Sequence, residues 1–491
     1  MRYISTRGGL ETKLSAEVIK QGLAEDGGLF VPETIPTITI DEIKSLIPDS
    51  YAQRTAFVLS KFLTDYTYEE LLIAANEAYA KEKFSPSPAP VVSLNEKQKI
   101  LELWHGPTCA FKDMALQIMP RLLSMALKKT GEKRTALILV ATSGDTGKAA
   151  LEGYKDIDQV KIMVFYPEDG VSDMQKLQMA SQDGENVNIC AIQGNFDDAQ
   201  TGVKTIFSDT QIARELDQKG YFLSSANSIN WGRLAPQIVY YISAYCDLLS
   251  AGTIQEGEQI DICVPTGNFG NIFAAYLAKK MGLPIGKLIC ASNKNNILTD
   301  FIKTGIYDRN RQFHTTMSPS MDILISSNLE RLLFFIQGAK KTALCMEQLK
   351  KTGRYEVDEE VKNLIKAEFT AYFATEENTT QTIHDIFNKY HYLIDTHTAV
   401  GLYAANQAQD KNVVITASTA SPYKFAADVL QAVTGDCVST KDFFCIQRAL
   451  HTVSGTAVPK PLADLEGKLY RFTKISGKSS QDMWVQIKEF I

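Results

Sequence analysis

Short apolar runs, each followed by a polar or glycine-rich loop and then by a helical pattern, constrain the fold of this chain more than any other feature. The first three runs are residues 135–141, 161–166 and 187–192, and later runs lie at 260–264 and 412–416. Runs of this length are typical of buried strands, and helical patterns follow them. The alternation predicts an α/β fold with two open sheets of parallel type, flanked by helices.

Chain length and local pattern together predict three domains, because one hydrophobic core rarely extends over 491 residues. Residues 1–95 carry helical patterns and end in a proline-rich stretch, which predicts an N-terminal, mostly helical domain. Residues 131–222 are predicted to form a small α/β domain. Residues 96–130 and 223–491 are predicted to form a large domain, which includes a helical insertion at about 295–390.

The composition argues against several functional classes. The formal net charge is −6 and no stretch is strongly basic, so nucleic acid is not expected as a partner. The first ten residues lack the apolar core of a signal peptide, and the longest apolar runs are of strand length. The eight cysteines are scattered without a Cys-x-x-Cys pair, which is typical of reduced thiols. We therefore expect a cytoplasmic protein without a membrane partner.

The segment His-Gly-Pro-Thr-Cys-Ala-Phe-Lys-Asp, residues 105–113, contains a candidate nucleophile. Lys112 lies in an apolar setting between Phe111 and Met114, shortly after a Gly-Pro turn. Partial burial lowers the pKa of a lysine and frees the amine to form a Schiff base. A helix lysine that extends its ammonium group into solvent is the common alternative for this pattern.

Two loops that each connect a strand to a helix carry residue types that bind anions. In Pro-Thr-Gly-Asn-Phe-Gly-Asn, residues 265–271, glycines let backbone N–H groups turn toward an anion at the start of the next helix. The loop matches neither a Walker loop nor a dinucleotide fingerprint. In Thr-Ser-Gly-Asp-Thr-Gly, residues 142–147, hydroxyl and backbone donors suit a carboxylate or a phosphate. A tight structural turn and an ordinary helix cap are the respective alternatives.

Two further loops complete the candidate site. Residues 227–233, Asn-Ser-Ile-Asn-Trp-Gly-Arg, combine amides, a hydroxyl and a guanidinium, which suits a phosphate or a carboxylate. Residues 417–422, Ala-Ser-Thr-Ala-Ser-Pro, offer a hydroxyl to a cofactor ring nitrogen, or cap the next helix. Because ligands of open α/β sheets bind at the carboxyl ends of strands, we expect the loops to converge. His391, Asp395 and His397 fit no common zinc pattern, so no metal is expected.

Together these motifs resemble the threonine synthase family, fold type II enzymes of the tryptophan synthase β group that depend on pyridoxal 5'-phosphate (PLP). The resemblance covers nearly the whole chain. It includes Ser-Thr-Arg at 5–7 and Asp-Thr-His-Thr-Ala-Val-Gly at 395–401. Residues 22–32, Gly-Leu-Ala-Glu-Asp-Gly-Gly-Leu-Phe-Val-Pro, resemble the longer bacterial and fungal subgroup. The motifs around Lys112, Gly144 and Gly267 are highly specific when they occur in this order.

The resemblance implies a role for each loop, with PLP as the cofactor. Lys112 would carry PLP and act as the catalytic residue, the large domain would bind PLP, and the small domain would face the substrate. The other cofactor-binding residues would be Gly267, Asn268, Phe269, Gly270, Asn271 and Thr419. The substrate carboxylate would meet Thr142, Ser143, Gly144, Asp145 and Thr146, and the substrate phosphate would meet Asn227, Ser228 and Arg233. The family usually has His at the position of Ser421.

The activity implied by the resemblance is the conversion of O-phospho-L-homoserine and water to L-threonine and phosphate, the last step of threonine biosynthesis. A related lyase that yields 2-oxobutyrate would use the same motifs. A serine/threonine dehydratase has less need of residues 227–233, because its substrate carries no phosphate. A PLP-binding protein without turnover would not need Lys112 together with the substrate loops. We expect a monomer or a homodimer that acts on a small molecule.

Overall fold

The first 79 residues form a mostly helical unit with one small antiparallel sheet. The computed structural model describes residues 1–9, 11–142, 144–169, 171, 173–408, 411–438, 440 and 442–491. The elements of the first unit are β1 (Tyr3–Ser5), α1 (Ser15–Gln21), β2 (Phe30–Pro32), α2 (Ile40–Ser45), α3 (Tyr51–Phe62) and α4 (Tyr68–Ala78). Ser50 and Thr67 begin α3 and α4, because their side chains accept hydrogen bonds from backbone N–H groups of the first turn.

The next part of the chain supplies two strands to a larger sheet and four to a smaller one. The elements that precede the smaller sheet are β3 (Val91–Ser93), β4 (Gln98–Glu102), α5 (Asp113–Leu116) and α6 (Met119–Lys129). Those of the smaller sheet and its crossovers are β5 (Thr135–Ala141), α7 (Asp145–Tyr154), β6 (Val160–Pro167), α8 (Asp173–Ala180), β7 (Val187–Ile192), α9 (Phe196–Ser208), α10 (Thr210–Gln218) and β8 (Tyr221–Ser224).

The rest of the chain returns to the larger sheet and is rich in helices. Its first elements are α11 (Trp231–Leu234), α12 (Pro236–Ser250), β9 (Ile260–Pro265), α13 (Gly270–Met281), β10 (Ile285–Ser292), α14 (Ile297–Thr304), β11 (Ile306–Asp308), α15 (Leu329–Thr352), β12 (Arg354–Glu356), α16 (Glu359–Glu368) and β13 (Phe369–Phe373). They are followed by α17 (Glu376–Tyr390), α18 (Thr396–Ala408), β14 (Val413–Ser418), α19 (Ala426–Thr434), α20 (Phe443–Ser454), α21 (Lys460–Ala463), β15 (Ile475–Ser476) and α22 (Ser480–Phe490). None of the described helices is long and apolar enough to cross a bilayer.

The smaller sheet is parallel throughout, with the strand order β15-β7-β6-β5-β8. Alternate residues of β5 enter different hydrophobic clusters: Leu137 and Leu139 pack on one face, and Ile138 and Val140 on the other. Both faces are therefore covered, which explains why this strand is a continuous apolar run rather than an alternating one.

The larger sheet has the order β13-β10-β9-β14-β4-β3, and only the edge strand β3 runs antiparallel to its neighbour. The parallel strands β4, β9 and β14 lie side by side, so their carboxyl ends meet at one edge. Lys112 follows β4, the glycine loop follows β9, and Thr419 follows β14. The predicted fold class, two parallel-type sheets with an N-terminal helical region, is confirmed.

Several short strands lie where the sequence pattern does not indicate a strand, and two of them bear on the predicted domains. β13 lies inside the region predicted as a helical insertion, and it forms the edge of the larger sheet. β15 belongs to the segment 223–491 that was predicted as part of the large domain, yet it pairs with β7 of the smaller sheet. Strands of two to five residues are too short for a periodic signal. The domain boundaries themselves remain a proposal.

Candidate active site

The segment that carries Lys112 is held against the loop that follows β14. The N–H of Phe111 donates to the carbonyl oxygen of Thr419 at 2.8 Å, and Ala110 and Ala420 form an antiparallel bridge. The turn before the lysine is closed by a buried carboxylate. Asp113 accepts hydrogen bonds from the backbone N–H and the hydroxyl of Thr108, at 2.8 and 2.7 Å. Burial raises the pKa of Asp113 to about 6, because these bonds only partly offset the loss of solvation.

Lys112 is nearly enclosed, with 11% of its side chain exposed. Its Nζ lies 3.3 Å from the hydroxyl of Ser320 and 3.6 Å from Oδ2 of Asp145. Burial lowers the pKa of Lys112, and the nearby charges of Lys424 and Arg233 act in the same direction, while Asp145 opposes them. A lysine whose neutral form is favoured in this way is suited to nucleophilic and base chemistry.

Lys424 is a second buried lysine at the site, and the sequence analysis did not identify it. Its fully buried Nζ lies 2.7 Å from Oδ1 of Asp145 and donates to the carbonyl oxygen of Thr108 at 3.0 Å. Burial opposes the charge of Asp145, but the ammonium groups of Lys424 and Lys112 outweigh it and lower the pKa of this carboxyl. Asp145 is therefore a counter-ion shared by two lysines. In the sequence, the only sign of Lys424 is a lysine three residues beyond Ser421.

The loop before α7 is organised by one hydroxyl. Oγ1 of Thr142 accepts hydrogen bonds from the N–H groups of Gly144 and Gly147, each at 3.0 Å. Gly144 has φ 144°, a conformation that favours glycine, and a Cβ there would lie 2.4 Å from the side chain of Gln175. Thr146 is partly exposed at the start of α7, whereas the predicted residue Ser143 lies outside the described residues. The loop thus offers a hydroxyl-bearing residue and a helix N-terminus beside Asp145.

The glycine loop after β9 has the form of an anion cradle. A Cβ on Gly267 would lie 2.7 Å from the carbonyl oxygen of Ser320, so only glycine fits here. Phe269 has a left-handed conformation, with φ 63°, and turns the chain directly into α13, which begins at Gly270. Asn271 accepts a hydrogen bond from Tyr241, while its own buried Nδ2 has no partner in the described part of the chain.

These features fit a phosphate. The N–H groups at the start of α13 have no partner within the helix, and the helix dipole favours negative charge at that end. An unpartnered buried amide such as Nδ2 of Asn271 indicates a donor that a ligand satisfies. Lys112, on the segment after β4, is buried and has a lowered pKa, and it supplies the amine that a carbonyl cofactor needs. The residues present therefore fit PLP.

The loop 227–233 lies against the glycine loop. Nδ2 of Asn328 donates to Oγ of Ser228 at 3.2 Å and to the carbonyl oxygen of Asn268 at 3.0 Å, so one side chain joins the two loops. Arg233 is buried, and it donates to the carbonyl oxygen of Ala226 at 3.0 Å. Burial lowers the pKa of Arg233 to about 10, and no carboxylate among the described residues pairs with it. Its charge is thus left for a ligand.

Asn227 and Thr419 complete the placement of the predicted residues. The side chain of Asn227 is exposed at the edge of its loop, and its backbone N–H donates to Oγ of Ser225 at 3.2 Å. Thr419 is buried, and its carbonyl oxygen accepts the hydrogen bond from Phe111, the residue before Lys112. Ser421, where the family usually has His, donates its N–H to the carbonyl oxygen of Cys109 at 3.0 Å, so the backbone pairing around Thr419 persists.

Asp395 and His397 support Ser320, the residue that contacts Lys112. Nδ1 of His397 lies 2.9 Å from Oδ1 of Asp395, and its Nε2 accepts the backbone N–H of Ser320 at 3.1 Å. Ser320 is also the residue whose hydroxyl accepts from Lys112 and whose carbonyl oxygen faces Gly267. Among the described residues, no group of acidic, histidine and cysteine side chains has the arrangement of a metal site.

Family models cover almost the whole chain. A model for the threonine synthase N terminus matches residues 2–79, and one for pyridoxal-phosphate dependent enzymes matches residues 87–419. A model for the threonine synthase C-terminal region matches residues 398–491. The second match alone spans more than half of the chain and contains Lys112, both anion-binding loops and Thr419.

Individual relatives support the same family assignment. The chain is 40% identical to a threonine synthase of Pseudomonas aeruginosa, over 89% of this chain and 91% of that protein. It is 43% identical to threonine synthase-like 1 of Macaca fascicularis, over 88% of this chain and 60% of that relative's length. A PLP-bound threonine synthase from Brucella melitensis has a TM-score of 0.89 and 35% identity, over 100% of this chain and 99% of that structure. The chain therefore belongs to the threonine synthase family of pyridoxal-phosphate dependent enzymes.

Proposed function

We propose that the protein is a threonine synthase that converts O-phospho-L-homoserine and water to L-threonine and phosphate. The proposal rests on a buried lysine near two loops. One loop presents backbone donors at a helix start, and the other carries a buried arginine that pairs with no described carboxylate. A substrate that carries a phosphate of its own, beside a cofactor that also carries one, requires two such sites. A substrate without a phosphate would not need the second site.

The cofactor site comes from the larger sheet. Lys112 would form the covalent link to PLP, and Gly267 to Asn271 would bind its phosphate through backbone N–H groups and the Nδ2 of Asn271. Thr419 would face the pyridine ring nitrogen. When bound, PLP supplies an electron sink that stabilises negative charge at the α carbon of the substrate.

The substrate would be held between the two sheets. The hydroxyls and backbone N–H groups of residues 142–146 would bind its carboxylate at the start of α7, and Asn227, Ser228 and Arg233 would bind its phosphate. The side chain of Asp145 is already bound to Lys424, so its backbone rather than its carboxylate would meet the substrate. We also propose that residues 131–222 act as the small, substrate-side domain.

Lys112 is the group placed to move protons. Its neutral amine would accept the α proton of the substrate and return protons to the carbon chain later in the reaction. Asp145 lies 2.7 Å from Nζ of Lys424 and 3.6 Å from Nζ of Lys112. Its carboxylate would stabilise the ammonium form of Lys112 that results. Loss of a proton from the β carbon would let the phosphate depart from the γ carbon into the site at Arg233. Addition of water at the β carbon and protonation of the α and γ carbons would then give threonine.

The experiment that tests the proposal measures three products at once. Purified, PLP-loaded protein is mixed with O-phospho-L-homoserine, and phosphate, threonine and 2-oxobutyrate are quantified together. We expect one threonine for each phosphate released. Equal amounts of phosphate and 2-oxobutyrate would instead identify the lyase. Absence of phosphate release together with turnover of serine or threonine would identify a dehydratase and contradict the assignment of residues 227–233. A cytoplasmic location and a monomeric or homodimeric state remain predictions.

A further inference from the structure

A completely buried arginine supports the loop that carries Arg233. Arg331, on α15, donates to the carbonyl oxygens of Phe30, Ser228 and Ile229 at 3.0, 3.4 and 2.6 Å, and it also donates to Oδ1 of Asn328. Its side chain is among the largest in the protein that is fully buried. Two of the four acceptors lie in the loop 227–233, so the guanidinium holds the backbone of this loop in place.

No carboxylate among the described residues lies directly against the charge of Arg331. The neighbouring Glu330 is bound instead by Arg7, with Nε and Nη2 at 2.9 and 3.0 Å from its two oxygens, and by the hydroxyl of Thr6 at 2.6 Å. Burial lowers the pKa of Arg331 to about 9, and Glu330 opposes this only partly. A buried cation that meets only neutral acceptors adds positive potential to the loop it supports.

Asn328, the residue directly before α15, contacts the glycine loop that is proposed to bind the cofactor. Asn328 accepts from Arg331, donates to Oγ of Ser228, and donates to the carbonyl oxygen of Asn268. The backbone N–H of Asn328 also donates to Asn268 at 3.0 Å. Arg331 and Asn328 therefore connect three parts of the chain: the N-terminal unit through Phe30, the loop 227–233, and the glycine loop.

We propose that Arg331 is a positioning residue for the substrate phosphate, which it places by holding the loop 227–233 against the glycine loop and the N-terminal unit. The inference rests on the proposed function and deepens it. It also assigns a use to two N-terminal motifs: Thr6 and Arg7 bind the carboxylate of Glu330, and the segment that ends at Pro32 supplies the carbonyl oxygen of Phe30. The N-terminal unit would thus contribute to substrate recognition without touching the substrate.

The test uses Arg331→Lys and Asn328→Ala in the full-length, PLP-loaded protein. Lysine keeps the charge but cannot reach four acceptors at once. We expect Arg331→Lys to raise the KM for O-phospho-L-homoserine and the inhibition constant of inorganic phosphate by about tenfold, with kcat within threefold of the wild-type value. Retention of PLP, followed by its visible absorbance during dialysis, should not change. Asn328→Ala should weaken both PLP retention and phosphate inhibition, because Asn328 contacts both loops.

Arg54→Lys is the matched control. Arg54 is also buried, and it donates to the carbonyl oxygens of Leu46 and Ile47 and to Ser243 and Asp247, none of which belongs to the site. We expect it to lower the melting temperature without changing the inhibition constant of phosphate.

The outcomes separate this inference from the proposed function. If the wild type turns over O-phospho-L-homoserine but Arg331→Lys changes the phosphate constants no more than Arg54→Lys does, the positioning role is wrong and the proposed function stands. The role is equally wrong if Arg331→Lys weakens PLP retention as much as phosphate inhibition. If the wild type neither releases phosphate from this substrate nor is inhibited by phosphate, both proposals are wrong.

Discussion

The glycine loop and the loop 227–233, the two proposed anion sites, differ in the donors that they offer. The glycine loop offers backbone N–H groups at the start of a twelve-residue helix, together with one unpartnered amide. The loop 227–233 offers the buried guanidinium of Arg233, and the buried guanidinium of Arg331 supports the same loop. Backbone donors carry no net charge, so the glycine loop needs no counter-ion when it is empty. A buried cation is stabilised when an anion arrives, which suits a ligand that enters and leaves.

Removal of the lysine between the loops should have the largest effect. Lys112→Ala is expected to lower turnover by at least about 10³-fold, because Lys424, the other buried lysine at the site, is held by Asp145 and by the carbonyl oxygen of Thr108. Both loops should remain, so inorganic phosphate should still bind, as measured by isothermal titration calorimetry. Turnover near the wild-type rate would contradict the assignment of Lys112 as the catalytic residue.

Arg233→Met tests the charged loop alone. It should raise the KM for O-phospho-L-homoserine by about 100-fold, since a hydrogen bond from a charged group contributes about 1.5–3 kcal/mol. PLP retention should stay at the wild-type level, because the glycine loop is unchanged. Arg233→Lys, which keeps the charge, should recover part of the loss. A variant that loses PLP and substrate affinity in parallel would show that the two loops are one site.

Gly267→Ala tests the backbone loop alone. Its Cβ would lie 2.7 Å from the backbone carbonyl oxygen of Ser320, so the loop must move. We expect PLP to bind about tenfold more weakly, with a smaller change in the inhibition constant of phosphate measured at saturating PLP. Arg233→Met is the reciprocal control. If Gly267→Ala instead affected phosphate inhibition alone, the assignments of the two loops would have to be exchanged.

The smallest predicted effect concerns the pH dependence of Lys112. Lys424→Met removes one positive charge and leaves Asp145 free to stabilise the ammonium form of Lys112, so the pKa of Lys112 should rise. The amine reacts with PLP only when neutral. The rate of PLP binding to the apoenzyme should therefore fall several-fold near pH 7 and recover at higher pH, with its midpoint about one pH unit higher.

Lys99→Met is the control for that measurement. Lys99 is also buried, but it donates to Ser93 and Asn95 away from the site. Its substitution should leave the midpoint unchanged. A midpoint that stays constant or moves down in Lys424→Met would show that Asp145 does not stabilise the Lys112 ammonium.

The loops of the candidate site could be predicted because each is local. A strand, a turn and a helix start within about fifteen residues leave a readable pattern, and parallel strands bring their carboxyl ends to one edge whatever the rest of the chain does. This is why Lys112, the glycine loop and Thr419 were found without the structure.

The supporting groups could not be predicted in the same way. Lys424, Asn328 and Arg331 reach the site from segments that are 60 or more residues away in sequence from the groups they hold. A lysine, an amide and an arginine on helices or turns are ordinary surface residues until packing buries them. Their partners depend on how the N-terminal unit and the region after β10 fold over the larger sheet.

The sequence by itself determined the α/β class, the strand ends and the candidate lysine, because hydrophobic periodicity and glycine conformations act over a few residues. The tertiary structure alone decided which charges are buried, which are paired and which are left for a ligand. That difference has a physical reason: the energy of a charge depends on solvation and on neighbours contributed by distant parts of the chain, and local sequence carries neither.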